Sequence, residues 1–144
     1  MKIDRMTENQ LEAVAQLEQQ CFSHPWSLKS LEEELNNETS LFFTATEDDT
    51  VVGYIGMSVV VDEGYIFNVA VDNKHRKQGI GSALVETLVT YAKKNNLCFL
   101  TLEVRESNEN ARSLYEKFGF IKVGERKNYY SSPTENAVLM TRCF

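Results

Sequence analysis

The sequence predicts an α/β (α+β) fold with a mixed sheet, and three observations lead there. Segments 41–46, 51–61 and 65–71 are strand-like and are separated by turns of a few residues, which predicts an antiparallel meander. Segment 65–104 then runs strand, helix, strand, which places two parallel strands side by side through a right-handed crossover. At the junction of that strand and helix stand Gly79 and Gly81, the punctuation of a tight turn. An antiparallel N-terminal meander joined to a central βαβ unit carries helices on both faces of its sheet.

The elements follow in order. Residues 2–6 predict a short first strand. Thr7-Glu8-Asn9-Gln10 fits a capping box, and Leu11, Val14, Ala15 and Leu17 then form an apolar helical face to about Gln20. The loop FSHPWS holds Pro25 and Trp26. Ser27 caps a second short helix, with Leu28, Leu31 and Leu35 along one side and Asn36-Asn37 at its end. Turns at Glu47-Asp48-Asp49 and Asp62-Glu63-Gly64 divide the meander. Residues 80–94 are helical, with Ile80, Leu84, Leu88 and Tyr91-Ala92 on one stripe. LCFLTLEV (97–104) is a strand, and Asn108 to Phe118 is a helix that Gly119 closes. FIKVGE (120–125) and AVLMTRC (137–143) are two final strands.

The 144 residues, 42% of them hydrophobic, suit one domain spanning 1–144 around a single core. A net charge of -6 argues against broad nucleic-acid or membrane binding. The opening MKIDRMTENQ lacks the apolar run of a cleaved signal, and no stretch approaches the roughly 20 apolar residues of a membrane helix. Cys21, Cys98 and Cys143 are scattered, without CxxC spacing, and read as reduced thiols of a cytoplasmic protein. With His24 and His75 as the only histidines, no metal centre is expected. Chemistry falls to carboxylates, tyrosines and backbone. The expected assembly is a monomer or weak oligomer.

Against that acidic background, Lys74, Arg76 and Lys77 crowd in front of Gly79 and Gly81. The first turn of the following helix offers free N–H groups and a partial positive charge, so the pattern has the composition of a phosphate cradle. A tight turn beside a solvated loop has the same composition, and the residues alone do not choose. A Walker loop is excluded, because Ser82-Ala83 follows Gly81 where Lys-Ser/Thr would be needed. A dinucleotide fingerprint lacks its third glycine, Leu84 standing there, and antiparallel strands precede it. RNA binding through Lys74 to Lys77 has a short patch and no aromatic platform.

Arg76-Lys77-Gln78-Gly79-Ile80-Gly81 is similar to the R/Q-x-x-G-x-G/A signature of the GCN5-related N-acetyltransferases. Three longer blocks, FNVAVDNKHRKQGIGSALV, LEVRESNENARSLYEKFGF and ERKNYYSSPTENAVLM, together with FSHPWS, resemble the bacterial ribosomal-protein-alanine type. The likeness covers almost the whole chain. It implies the fold of that superfamily, acetyl-CoA as co-substrate, and a protein N-terminus as acceptor, most specifically the N-terminal alanine of the eighteenth small-subunit ribosomal protein. The amides and side chains of Arg76, Lys77, Gln78, Gly79, Ile80, Gly81 and Ser82 would hold the coenzyme pyrophosphate. Backbone at Val69, Ala70 and Val71 would pair with the pantetheine, and the Asn108 side chain would touch the coenzyme. Trp26, Tyr129 and Tyr130 would line the acceptor cleft. In relatives Pro often follows the tyrosine pair and Glu-Asp precedes the next alanine; here Ser131 and Glu135-Asn136 stand in those places.

Amide formation from a thioester and an amine needs a neutral amine and a proton for the departing thiolate. A protein α-amine titrates near 8, so roughly a tenth is already neutral at pH 7, whereas a lysine amine titrates near 10.4. One carboxylate, acting directly or through water, is base enough for the α-amine. Glu103 shares a strand face with Phe99 and Thr101 near the end of an apolar strand, where a carboxylate is costly without a partner or a purpose. Solvent, Arg105 or Lys122 would satisfy it structurally; the resemblance makes it the general base. Tyr115 lies beside Leu114 and Phe118, where a core tyrosine would also lie; the resemblance makes it the general acid. Acceptors other than a protein N-terminus (a lysine, a polyamine or another small amine) and a non-catalytic coenzyme-binding module are the alternatives.

Overall fold

A computed structural model describes residues 1–144. Seven strands form one sheet in the order β1-β2-β3-β4-β5-β7-β6. They are β1 (Lys2–Arg5), β2 (Ser40–Glu47), β3 (Thr50–Val60), β4 (Glu63–Val71), β5 (Phe99–Arg105), β6 (Ile121–Tyr130) and β7 (Glu135–Cys143). The helices are α1 (Leu11–Cys21), α2 (Leu28–Leu35), α3 (Ile80–Lys94) and α4 (Glu109–Lys117). All neighbouring strands are antiparallel except β4 and β5, as the crossover through α3 requires. The mixed sheet with an antiparallel N-terminal half is the architecture that the sequence predicts.

Two cores cover the two faces. On one, Ile80, Leu84, Leu88 and Ala92 of α3 and Tyr115 of α4 pack on Ile55, Met57, Leu100 and Met140. On the other, Leu11, Val14 and Leu17 of α1 and Leu31 of α2 pack on Phe42, Tyr54 and Ala70. Helix ends follow the capping residues: Gln10 Oε1 accepts from Thr7 N–H at 3.0 Å, and Ser27 Oγ accepts from Ser30 N–H at 3.1 Å. Gly119 takes φ +86 after α4, the left-handed turn that ends a helix at low steric cost.

Two irregularities shape the functional end. First, β4 and β5 pair only over Glu63–Tyr65 and Phe99–Thr101, and beyond that the strands part. Second, the β3–β4 register slips between Ile55 and Met57, so Phe67 and Asn68 together face Gly56 as a bulge. The bulge suspends the usual alternation. Phe67 packs in the α1–α2 core and Asn68 also turns to that side, reaching Glu18.

Candidate active site

Where β4 and β5 part, a cleft of about 660 Å³ opens. Its walls come from β4 (Asn68, Val69), β5 (Glu103), α4 (Asn108, Tyr115), the α1–α2 loop (Trp26) and the end of β6 (Tyr129, Tyr130). Residues from five elements, distant in sequence, thus share one space. Val69, Ala70 and Val71 pair with Ile55, Tyr54 and Gly53 of β3, and no β5 residue pairs with their opposite edge. That edge carries main-chain hydrogen-bonding groups into the gap, apart from the Val71 carbonyl, which has side-chain partners.

The start of α3 lies at the far end of the same strand. Asp72 caps the turn, accepting from Lys74 N–H at 3.2 Å and lying 2.7 Å from His75 Nδ1. These contacts, first His75 and then Gln20, hold the Asp72 carboxyl below its usual range. Lys77 and Gly79 adopt φ +63 and +80, which turns the chain sharply into the helix. The first bond at this end runs from Ala83 N–H to the Gly79 carbonyl at 3.0 Å, so the amides of Ile80, Gly81 and Ser82 reach no main-chain carbonyl. A Cβ at Gly79 would meet nothing within 4 Å, whereas one at Gly81 would lie 3.3 Å from Leu114. Gly79 therefore supplies conformation and open approach, and Gly81 supplies close packing of α3 on α4. Free amides, exposed Lys77 and Gln78, and an open glycine suit an anionic pyrophosphate.

Two cations here differ from the sequence reading. Arg76 turns back, its Nε 3.4 Å from the Val71 carbonyl and one Nη 3.5 Å from Cys21 Sγ. Lys117 of α4 takes a place at the helix start instead, donating to Ser82 Oγ at 3.3 Å. No local signal marks Lys117, since a basic residue in the last turn of a helix is ordinary.

Glu103 stands on the face of β5 opposite Leu100, Leu102 and Val104, and all three of those are buried. Neither Arg105 nor Lys122 is its partner: Arg105 pairs with Glu135 at 3.1 Å and Lys122 with Glu125 at 2.6 Å. Arg126 of β6 is, with Nε 3.5 Å from Glu103 Oε1. Oε2 is buried and without a hydrogen-bond partner. A buried acceptor without a donor is uncommon in a folded protein and marks Glu103 as a candidate for chemistry. Tyr115 is 6% exposed, its ring 5.6 Å from that of Phe120, and burial, followed by nearby Tyr130, raises its hydroxyl well above the tyrosine value. Tyr130 is pushed up to about 12, first by burial and then by the charge of Glu103, and Tyr129 is raised first by that same charge. Asn108 caps α4 through Oδ1, which accepts from Ala111 N–H at 3.1 Å.

Tyr129 and Tyr130 belong to β6 rather than to a loop, their rings 5.1 Å apart and near perpendicular. The two lips of the cleft are tied together by residues that the sequence reading missed or read otherwise. Arg105 donates to Ser23 Oγ at 3.3 Å on one lip and to the Ser131 carbonyl at 2.8 Å on the other. Its guanidinium also lies 4.6 Å over the Tyr130 ring, and His24 Nε2 lies 3.1 Å from Ser131 Oγ. Asn136 Oδ1 accepts from Asn128 N–H at 3.0 Å, which fixes the kinked end of β6. The unusual Ser131 and Asn136 therefore both have structural partners.

The family model described as "Acetyltransferase (GNAT) family" matches residues 11–120. The chain is 36% identical over 140 residues to the [Ribosomal protein bS18]-alanine N-acetyltransferase of Escherichia coli (strain K12), covering 96% of this chain and 94% of that protein. It is 39% identical over 132 residues to the Haemophilus influenzae protein of the same name, covering 90% and 89%. The crystal structure of the ribosomal-protein-S18-alanine N-acetyltransferase from Escherichia coli superposes with a TM-score of 0.92 at 35% identity, covering 99% of this chain and 92% of that one. A cradle of free amides, a split between parallel strands and a model match over most of the sequence converge: this chain belongs to the GNAT family of acetyltransferases.

Proposed function

We propose that the 144 residues act as one N-acetyltransferase domain that moves an acetyl group from acetyl-CoA to the N-terminal α-amine of a protein. The N-terminal alanine of ribosomal protein bS18, named for the similar proteins, is the first acceptor to test. One observation carries the reading. Glu103, one of whose oxygens is buried and unpartnered, and the largely buried Tyr115 line the same cleft, between the parted edges of β4 and β5.

The family's co-substrate, acetyl-CoA, supplies an activated acetyl thioester when bound. Its pyrophosphate suits the amides of Gly79 to Ser82 with Lys77, Gln78 and Lys117 around them, and its amides suit the open edge at Val69–Val71. Arg76 supports this site from behind, through Val71, and Asn108 borders it. Glu103 accepts the proton that the attacking amine gives up, directly or through a water. Tyr115 donates its proton to the sulfur as the C–S bond breaks and the C–N bond forms. Because its hydroxyl titrates well above the usual 10, Tyr115 is protonated throughout the neutral range. Trp26, Tyr129 and Tyr130 surround the acceptor.

The proton transfers call on no metal, since a carboxylate accepts one proton and a phenol supplies the other. The setting is cytoplasmic, consistent with three free cysteines and with the absence of any helix long and apolar enough to cross a membrane. Incubating the protein with acetyl-CoA and a peptide beginning Ala-Arg should give a mono-acetylated peptide whose mass gain maps to its first residue. Faster turnover of free polyamines or of lysine side chains than of any N-terminal peptide would remove the N-terminal reading.

A further inference from the structure

Glu18 is fully buried, and its carboxylate has no cation beside it. It stands on the apolar stripe of α1, one turn after Val14 and two after Leu11, where a leucine would pack. A buried carboxylate survives there only because donors surround it. Three do, from three elements. Oε1 accepts from the Trp26 main-chain N–H at 2.9 Å. Oε2 accepts from the Tyr54 hydroxyl of β3 and from Asn68 Nδ2 of β4 at 3.1 Å. Nothing in the transfer chemistry uses this group.

Its partners occupy the two walls of the cleft. Trp26 anchors the α1–α2 loop, with its ring 5.2 Å from that of Phe67. Asn68 reaches Glu18 only because of the bulge opposite Gly56, and it directly precedes the edge Val69–Val71. Tyr54, itself buried, closes the third side, and the nearby carboxylate adds to burial in raising its hydroxyl well above the tyrosine value. One carboxylate therefore sets the spacing between the acceptor lip and the strand that faces the thioester.

We propose that Glu18 is a positioning residue for the acceptor: it fixes the main chain at Trp26 against the β4 bulge, so that the acceptor amine meets the thioester strand at one distance. This rests on the reading of the Trp26 lip as acceptor wall. Glu18 touches no reacting atom. Its removal should weaken productive acceptor binding while leaving the grip on the coenzyme, at the α3 end of β4, intact.

Trp26 is the only tryptophan in the chain, so its emission reports this lip without any assay of activity. In Glu18→Ala, Trp26 emission should shift to the red and acrylamide quenching should rise. The acceptor KM should rise about tenfold or more, with the acetyl-CoA KM within about twofold. Glu18→Gln keeps a carbonyl for the Trp26 N–H, and should restore both the emission and most of the acceptor KM. Should Glu18→Ala fail to fold, hydrogen exchange on the wild-type protein decides: the Trp26 amide should exchange at least about 100-fold more slowly than that of His24 on the same loop. Unchanged emission and acceptor KM in Glu18→Ala, an equal rise in both KM values, or a Trp26 amide as labile as that of His24 would each overturn the proposal. If the wild-type protein leaves the Ala-Arg peptide untouched, the acceptor reading falls by itself, while emission and exchange still test the anchor.

Discussion

Arg126 Nε lies 3.5 Å from Oε1 of Glu103, and the other oxygen of that carboxylate is buried without a partner. The pair joins β6 to β5 across the intervening β7. Arg126 thus pairs with one oxygen, while its twin is buried without a partner in a residue that lines the cleft.

Glu103→Gln should therefore keep the fold and lose the proposed base. We expect kcat to fall about 10²- to 10³-fold, with the acetyl-CoA KM little changed. Steady-state kinetics with both substrates varied measure this, and an unaltered kcat at saturation would reassign the base.

Tyr115→Phe removes only the hydroxyl from a packed ring. We expect kcat to drop by roughly 10²-fold with both KM values near wild type. Because burial, then Tyr130, pushes this hydroxyl well above the ordinary value, the wild-type rate should show no loss of the acid near pH 10. An alkaline limb falling through pH 10 that vanishes in Tyr115→Phe would contradict that order.

Alkali should destabilise the fold through Tyr115 and Tyr130. A hydroxyl whose folded pKa is raised favours the folded state fully below its unfolded value near 10. That contribution is lost as pH climbs through the folded value, about 12 for Tyr130. Thermal melts between pH 9 and 12 should show Tm falling above about pH 10, and Tyr130→Phe should flatten the fall.

Gly79→Ala places a side chain at φ +80, where space is open but the backbone is strained. We expect about 1–2 kcal/mol of lost stability and a raised acetyl-CoA KM. Lys117→Ala should leave stability within about 0.5 kcal/mol, since its contact with Ser82 is exposed, while weakening coenzyme A binding severalfold in calorimetry.

The elements governed by local pattern were legible in the sequence. Helix α3 spans 80–94 as its apolar stripe requires, and the meander strands fall within a residue or two of their apolar runs. The alternating faces of β5 set Glu103 apart from Leu100, Leu102 and Val104 without any structure. The end of β6 was not legible. It lies at the sheet edge with nearly every residue exposed, so KNYY carries no alternation and reads as loop. The parting of β4 from β5, the bulge at Phe67–Asn68, and the placement of Arg126 and Lys117 arise from register between distant segments, which composition does not encode. Glu18 was missed for a different reason: it interrupts an apolar stripe, and the stripe is legible without it.

Only three residue pairs join β4 to β5, so beyond Tyr65 the two halves of the sheet, β1 to β4 and β5 to β6, meet through the core under α3 and not through main-chain pairing. A molecule laid along the open edge beyond Tyr65 would bridge the two halves as an eighth strand would. Binding there would add main-chain pairing to the folded state alone, and the melting point should climb with ligand concentration.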